Sequence, residues 1–251
     1  MQKLLILLAL STSCASPSVQ LCSDSVVPVA HGTIGGRSAE LGGLASFGEL
    51  GVEDVESVGS SPRVDIRGEA GTLSFGYMPA TYAGEGTLAA DLQVGGETFE
   101  RDSGVSTVMG ADFMTARWTQ ELVNTAPLRV GLGVGFCGLG LKMKVQELDG
   151  SGEGEFDELI PLPMAVAKLE GDFGRLDFEA SYGVHETRGS DGERRLQDLD
   201  ARFSMDIKGS AGALVFGYRE VQLDGTHSGG GESTAFDVAF GGPYIGLTLG
   251  F

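Results

Sequence analysis

The side chains best suited to acid–base chemistry in this 251-residue sequence are three histidines, His31, His185 and His227. His31 lies in an N-terminal segment and His227 in a glycine-rich stretch. His185 stands two residues before Thr187, and residues two apart on a strand share a face. A histidine beside a hydroxyl can activate it as a nucleophile. A polar pair at the end of a strand is the simpler interpretation of one isolated motif, and we expect no enzymatic activity.

The acidic run at residues 149–155 is the strongest candidate for a metal site. A calcium loop of the helix-loop-helix type needs a glutamate at its twelfth position, which is Ile160 when counted from Asp149. No helical pattern flanks the run, so we interpret it as a solvated loop. Cys22 and Cys137 form no spaced framework, and the chain has no CxxC motif. The sequence therefore predicts no metal, no disulfide and no cofactor.

The first residues resemble an export signal. Lys3 supplies a charge, residues 4–10 are apolar, and small residues precede a cleavage point after Ala15, so residues 1–15 are predicted to be a signal peptide. Lipidation of Cys14 stays an alternative, although the residues before it fit that signal poorly. The apolar core is too short to cross a bilayer as a helix. No later apolar run is long enough, so a membrane crossing would have to use strands.

Composition limits the classes of partner. The chain carries a formal net charge of -18, which argues against binding to nucleic acid or to an anionic membrane surface. Its length suits one large all-β domain. Glycine is abundant, with 41 residues against 8 prolines, and stands inside apparent strands as well as between them. Such glycines are typical of bends, bulges and crowded interior positions.

The final eight residues alternate without a break. Ile245, Leu247, Leu249 and Phe251 fall on one face, and Tyr244 begins the opposite row. A period of two indicates a strand with one face in an apolar medium. An ordinary edge strand of a secreted sandwich is the alternative interpretation of this pattern. A barrel that closes in a bilayer explains the aromatic residue at position 251, because Phe251 can then lie in the interfacial girdle.

These residues carry a family resemblance. The stretch from Gly242 to Phe251 resembles the C-terminal strand of bacterial outer-membrane β-barrels, which implies recognition of its alternating residues by the barrel-assembly machinery. In build, residues 62–251 are similar to the small barrels of the OmpA, OmpX and OmpW families. The peptidoglycan-binding domain of full-length OmpA is not expected here, because the sequence ends at Phe251.

Alternating segments and loop lengths predict the architecture. From residue 72 onward we count about eight strands, and a hairpin at residues 48–70 could raise the number to ten. The sequence thus predicts an all-β fold, a transmembrane antiparallel up-and-down barrel of eight to ten strands. Residues 16–61 are expected to form an N-terminal periplasmic segment or a first hairpin. Predicted loops alternate between long (near residues 83–104, 147–158, 186–197 and 224–234) and short (near residues 124–127, 170–174 and 208–212), as in outer-membrane barrels.

The longest regular run changes the parity of its apolar row. Even residues are apolar from Leu128 to Phe136, and odd residues are apolar from Leu139 to Val145. A one-residue slip would turn every later side chain to the wrong face. We therefore predict a β-bulge near Cys137, with Lys142 and Lys144 opposite the apolar row. The prolines at positions 161 and 163 predict a locally irregular strand.

The face opposite the apolar row carries charges of both signs. In a small barrel this face points inward, and an unpaired buried charge is costly, so the charges should pair. An eight-stranded barrel has room inside for side chains and little else. The predicted interior charge network consists of Lys142, Lys144, Arg175, Asp177, Glu179, Asp198, Asp200, Arg202, Asp206 and Arg219.

Together these patterns predict a bacterial outer-membrane barrel with a plugged, charge-paired interior and a structural or surface-interaction role. A narrow channel for small solutes is the main alternative. A lipid-modifying hydrolase at the rim is a further alternative; lipid A deacylase barrels resemble the arrangement at His185, but they use serine where this chain has Thr187. The expected partners are outer-membrane lipid and the barrel-assembly machinery, and we expect a monomer.

Overall fold

The computed structural model describes residues 18–27, 29–37, 41–52, 55–57, 59–189, 192–229 and 232–251, so the predicted signal peptide and Cys14 lie outside the described residues. Within these ranges no helix is long and apolar enough to cross a membrane. The described strands are β1 (Ser18–Val26), β2 (Val29–Arg37), β3 (Leu41–Ser46), β4 (Val55–Ser57), β5 (Gly59–Gly68), β6 (Gly71–Thr87), β7 (Leu92–Val94), β8 (Glu97–Phe99), β9 (Gly104–Thr125), β10 (Leu128–Glu147), β11 (Glu153–Asp172), β12 (Leu176–Gly189), β13 (Gly192–Asp206), β14 (Gly212–Gly229) and β15 (Glu232–Gly250).

Ten of these strands close into an antiparallel ring. Their order is β1-β5-β6-β9-β10-β11-β12-β13-β14-β15, and β15 pairs back to β1 through contacts such as Leu249 with Leu21. The amide of Phe251 donates to the carbonyl of Val19 over 2.9 Å, which ties the last residue to the first described strand. The predicted up-and-down barrel is confirmed, with ten strands.

The N-terminal part of the ring differs from the expectation. The sequence predicts the whole barrel within residues 62–251, but β1 lies between β5 and β15 and completes it. The hairpin considered at residues 48–70 contributes only β5 to the ring. The outward row of β1 starts with Val19 and Leu21 and continues with two serines, so no sustained apolar row marked it as a barrel strand.

Two ends of the barrel can be told apart. At the lower end lie Ser18, Phe251 and the short turns that begin at Glu69, Ala126, Phe173 and Ile207. At the upper end the chain makes longer excursions, including β2–β3 and β7–β8. Two predicted upper loops are wrong. Residues 186–197 and 224–234 are mostly strand, because β12–β13 and β14–β15 pair almost to their tips at Gly189 with Gly192 and Gly229 with Glu232.

The lower half of the outer wall is an apolar belt. In β10 its residues run from Leu128 to Phe136, and a tilted strand of about 9–11 residues suffices to cross a bilayer. The exposed belt residues include Leu21, Leu73, Phe75, Met114, Trp118, Leu132, Val134, Leu169, Leu176, Leu199, Phe203, Phe216, Ile245, Leu247 and Leu249.

Three tyrosines mark the upper margin of this belt. The hydroxyl of Tyr77 donates to Asp112 over 2.7 Å, and that of Tyr218 donates to Glu220 over 2.7 Å. The hydroxyl of Tyr182 is hydrogen-bonded to the Gln197 amide over 3.0 Å. A tyrosine with its ring in the apolar zone and its hydroxyl on a polar neighbour is typical of a membrane–water interface. We call these three residues the tyrosine girdle.

Above the girdle both faces of the wall change polarity. In β10, the outward residues Leu132 and Val134 are 51% and 63% exposed, whereas Leu141 and Met143 point inward and are each 2% exposed. The register with β9 and β11 is continuous through Cys137; the shift in register lies lower, between Val130 and Gly131. The predicted bulge is therefore wrong. The ladder stays in register, and the apolar row itself moves from the outward face below the girdle to the inward face above it, where an apolar core fills the interior.

The part of the barrel above the girdle, here called the head, has a solid apolar core. The Phe240 ring of β15 lies 5.2 Å from Phe113 of β9, 6.0 Å from Tyr82 of β6 and 5.9 Å from Phe47, measured between ring centroids. The β7–β8 hairpin adds Leu92, Val94 and Phe99, all fully buried, across the upper mouth.

The wall of the head is interrupted beside β11. The ladder between β11 and β12 ends at Ala165 paired with Val184, and above this point β11 pairs with β10 alone. Pro161 and Pro163 have no N–H to donate to a further neighbour, which explains where the ladder stops. The expected irregularity is absent from the β10 side, where β11 stays in register through both prolines.

Candidate functional site

The interior of the lower half, here called the lower lumen, concentrates the buried charges of the described chain. They come from seven different strands, and each is brought inward by the alternation of side chains along its strand. The buried or half-buried ionic side chains that line it include Asp24, Arg63, Asp65, Arg67, Arg117, Lys168, Glu170, Glu179, Asp198, Asp200, Arg202 and Arg219.

Asp198 anchors the upper part of this network. Its side chain has no exposed surface and lies between two guanidinium groups. Arg117 of β9 donates to Oδ2 of Asp198 from across the lumen, and Arg219 of the neighbouring β14 donates to the same oxygen over 3.3 Å. A second nitrogen of Arg117 donates to the Ser181 hydroxyl over 2.7 Å. One carboxylate thus joins opposite walls of the barrel.

A second group of pairs lies nearer the lower end. Arg63 of β5 reaches across to Asp200 of β13 over 2.8 Å and to Glu179 of β12 over 3.3 Å. Arg202 contacts the same Glu179 over 2.8 Å and Asp65 over 3.1 Å. Two arginines and three carboxylates therefore alternate around the lumen, and every member has a partner of opposite sign.

The third group closes the lower mouth. Lys168 contacts Glu170 over 2.8 Å and Glu179 over 3.1 Å, which connects this group to the second. Arg67 also pairs with Glu170, and Arg129 adds a contact to it over 3.3 Å. Glu170 therefore has three cationic partners. Such multiple pairing is what buried ions require to offset their desolvation.

Glycines make room for the larger side chains of the network. A side chain at Gly217 would overlap the ring of Tyr244, so the absence of a side chain there leaves room for the ring beside the β14 backbone. This places the Tyr244 hydroxyl 2.7 Å from Oδ1 of Asp200, to which it donates. The bare face of Gly246 accommodates the Asp24 carboxylate in the same way. Glycines inside these strands thus serve interior packing.

The structure brings together five of the ten predicted network residues: Glu179, Asp198, Asp200, Arg202 and Arg219. Asp177 is half-buried at the lower mouth. Arg175 and Asp206 are exposed at the lower turns, where Arg175 donates to the Asp206 carbonyl over 3.3 Å.

The predicted inward placement of Lys142 and Lys144 is wrong. Both point outward from the head and are exposed, with Lys142 3.5 Å from Asp157 and Lys144 2.8 Å from Glu153 on β11. The prediction assumed that the face opposite an apolar row is always the interior. In the head the apolar row is itself interior, so its opposite face meets water.

Sequence reasoning missed the charges of β1, β5, β9 and β11 in this network. Arg63, Asp65 and Arg67 alternate with the outward Val64 and Ile66, so the same rule could have found them. Lys168 and Glu170 face inward, opposite Ala167 and Leu169, and the same rule could have found them as well. Asp24 had no such signal, because the outward neighbours Ser23 and Ser25 are polar.

The predicted assembly signal is divided between the two faces of β15. Ile245, Leu247 and Leu249 point outward into the belt, and Phe251 is 75% exposed at its lower margin. Tyr244 points inward and belongs to the charge network through Asp200.

The His185–Thr187 pair forms at the upper end of β12. Nε2 of His185 lies 2.7 Å from the Thr187 hydroxyl, as their shared face predicts. Within the described chain this is the only hydrogen bond of the His185 side chain, so Nδ1 has no carboxylate to orient the ring. Triad chemistry depends on such a third group. The pair alone supports a polar rim contact. The side chain of His227 lies outside the described residues.

The cavities of the lower lumen are small. One of about 130 Å³ lies at the lower mouth, lined by residues that include Arg67, Arg129 and Asp177. One of about 40 Å³ lies higher, between Arg63, Arg117 and Tyr244. Among the described residues, no cluster of histidine, cysteine and carboxylate side chains could hold a metal ion.

Comparisons with known proteins find likeness in overall architecture only. No family model matches the chain, and no curated protein matches its sequence. The toluene transporter TodX of Pseudomonas putida aligns over 95% of this chain and 91% of its own, with 9% identity and a TM-score of 0.31. An anion-selective porin from Comamonas acidovorans aligns over 94% and 100%, with 10% identity and a TM-score of 0.28.

The β domain of the Bordetella autotransporter BrkA aligns over 94% of this chain and 99% of its own, with 11% identity and a TM-score of 0.23. Scores this low do not relate the chains strand by strand. The evidence for the barrel is therefore the pairing of strands within this chain itself.

Replacing Asp198 with asparagine tests whether the lower lumen depends on this one carboxylate. The substitution leaves Arg117 and Arg219 as buried charges without an ionised partner, so we expect a loss of about 3–5 kcal/mol in the free energy of unfolding. The measurement is the urea concentration at which the folded band disappears from an unboiled detergent gel. Asp157→Asn is the matched control; that carboxylate is 60% exposed, and about 1 kcal/mol or less is expected. Equal midpoints for the two variants would contradict the assignment.

Proposed function

We propose that this chain is an integral outer-membrane barrel with a closed lumen, which holds a rigid β-structured head outside the bilayer for a structural or surface-interaction role. The single observation that carries this proposal is that the interior of the barrel is filled in two separate zones. An apolar core fills the head, and a paired charge network fills the lower lumen. A solute would have to displace both.

The apolar core opposes the passage of polar solutes. Phe47, Phe113 and Phe240 meet in the middle of the head, and the fully buried Leu50 and Val52 continue the core beside them. Protein interiors packed in this way contain few voids larger than a water molecule. The segment that carries Phe47 is held by reciprocal bonds: the Ser46 amide donates to Glu49 over 2.6 Å and the Glu49 amide to the Ser46 hydroxyl over 3.2 Å.

The charge network opposes the passage of ions for a different reason. Arg63, Arg202 and Lys168 all converge on Glu179, so an ion can advance only by separating these pairs. Breaking a buried pair leaves an uncompensated charge, which costs several kcal/mol. The two zones are thus closed by independent interactions.

The arrangement of the ends supports an outer-membrane orientation. Barrels of that membrane have short periplasmic turns and longer external segments. Here the short turns and Phe251 lie at the lower end, and the head extends from the upper end. In β10 the head spans residues 138–147, about 34 Å of strand at the usual rise per residue. We therefore place the lower end in the periplasm and the head at the cell surface. Outer-membrane lipid would surround the belt, and the assembly machinery would recognise β15.

A narrow channel for small solutes is the second candidate. It is favoured by the cavities of the lower lumen, the two larger of which both include Glu179 in their lining and so adjoin the same side chain. Movement of the β3 and β7–β8 segments out of the head would be needed to open the upper end.

Conductance in a planar lipid bilayer distinguishes these candidates. For the purified full-length chain we expect membrane insertion, shown by a gel mobility shift on boiling, with no stepwise increase in current. The reason is that neither zone leaves a continuous aqueous path. Stable single-channel steps from the folded, unmodified protein would contradict a closed lumen and favour the channel.

Labelling of intact cells tests the orientation. A cysteine in place of Lys144, on the outer face of the head, should react with a membrane-impermeant maleimide. A cysteine in place of Gly209, in a lower turn, should react only after the cells are lysed. The native Cys22 and Cys137 are buried and should stay unlabelled in the folded protein. Labelling at 209 in intact cells, with none at 144, would reverse the assignment.

A further inference from the structure

We propose that the 40 Å³ cavity of the lower lumen is a hydration site, where bound water completes the charge network by joining Asp24 to Arg63 and Arg117. The inference holds whether or not the barrel conducts. It begins with three buried polar atoms that have no hydrogen-bond partner among the residues that the structure describes. These atoms are Oδ1 of Asp24, Nε of Arg63 and Nε of Arg117. Nε of Arg63 lies 3.2 Å from Oδ2 of Asp65, a contact between charges whose geometry does not make a hydrogen bond.

All three side chains line the same cavity. Asp24 enters it from β1, Arg63 from β5 and Arg117 from β9. The other nitrogens of the two arginines are occupied, since Arg63 holds Asp200 and Glu179 while Arg117 holds Asp198 and Ser181. A simple exchange of partners therefore cannot satisfy the two Nε groups. Buried polar groups in native proteins are nearly always bonded to protein or to ordered water.

The chemistry of the three groups selects the ligand. Asp24 offers an acceptor, and the two Nε groups offer donors. A cation would satisfy Asp24 and leave both Nε groups unbonded. An anion would satisfy the arginines and leave Asp24 unbonded. Water both donates and accepts, so one or more molecules can bond all three groups.

The charge and size of the cavity lead to the same ligand. Its charged lining is of mixed sign with an excess of only one positive charge, so neither kind of ion meets a strong field of the opposite sign. Four cationic side chains (Arg63, Arg117, Lys168 and Arg219) face three carboxylates (Asp24, Glu179 and Asp200). A bound water needs about 10–15 Å³ of cavity volume measured in this way, so the cavity holds about three or four.

Crystallography of the full chain in detergent tests the proposal directly. We expect ordered density within hydrogen-bonding distance of Asp24 Oδ1 and of both Nε atoms, with no anomalous signal after soaks in bromide or in thallium(I). A bromide peak would show an anion site and a thallium peak a cation site. Either peak, or direct bonds among the three groups with no density between them, would overturn the water assignment.

Two substitutions at Asp24 provide a second readout. Asparagine keeps an acceptor oxygen for the water, and leucine removes it. We expect the temperature at which the folded gel band is lost to fall further for Asp24→Leu than for Asp24→Asn. A leucine variant at least as stable as the asparagine variant would contradict the proposal. If the leucine variant does not fold, the Asp24→Asn crystal still decides, because water bridging position 24 to both Nε atoms is expected there.

Discussion

The structure depends on one constraint: at the level of the tyrosine girdle, the polarity of both faces of the barrel wall reverses. Alternation along a strand only guarantees that neighbouring side chains meet different media. Below the girdle the outer face is the apolar one, where we propose that lipid lies, so the interior receives the polar row and the charges must pair there. Above it the apolar medium is the core inside, so the outer face receives the polar row. In β10 the outward apolar row ends at Phe136 and the inward apolar row is established by Leu139, within one unbroken ladder.

The remaining features follow from this reversal. A closed apolar core above the girdle requires extra chain to fill it, which β3, β7 and β8 supply. It also permits the wall to part between β11 and β12, because a packed core can hold two sheet segments together without a continuous ladder. The lower half has no such core and keeps its ring closed by β15 pairing with both β1 and β14. There, pairs such as Arg117 with Asp198 connect opposite walls, and desolvation makes each pair costly to break.

Much of the lower half could be predicted from the sequence because the apolar belt follows a strict period of two. Asp198, Asp200 and Arg202 alternate with belt residues and were placed inside correctly on that pattern. The head could not be predicted in the same way. A period of two shows that the two faces of a strand differ in polarity, but it does not show which face points inward. That ambiguity produced both the bulge expected near Cys137 and the inward placement of Lys142. The contribution of β1 was also hidden, since the closure pairs strands from opposite ends of the chain, as at Leu21 with Leu249.

The reversal itself can be measured along the outward row of β10. Spin labels would be placed one at a time at positions 132, 134, 136, 142, 144 and 146, in a background without Cys22 and Cys137, and reconstituted in bilayers. Collision with oxygen reports lipid, and collision with a water-soluble nickel chelate reports water. The account predicts oxygen-dominated relaxation at 132–136 and nickel-dominated relaxation at 142–146. Oxygen-dominated relaxation through 144 would mean that the lipid reaches the head, and the central claim would fail.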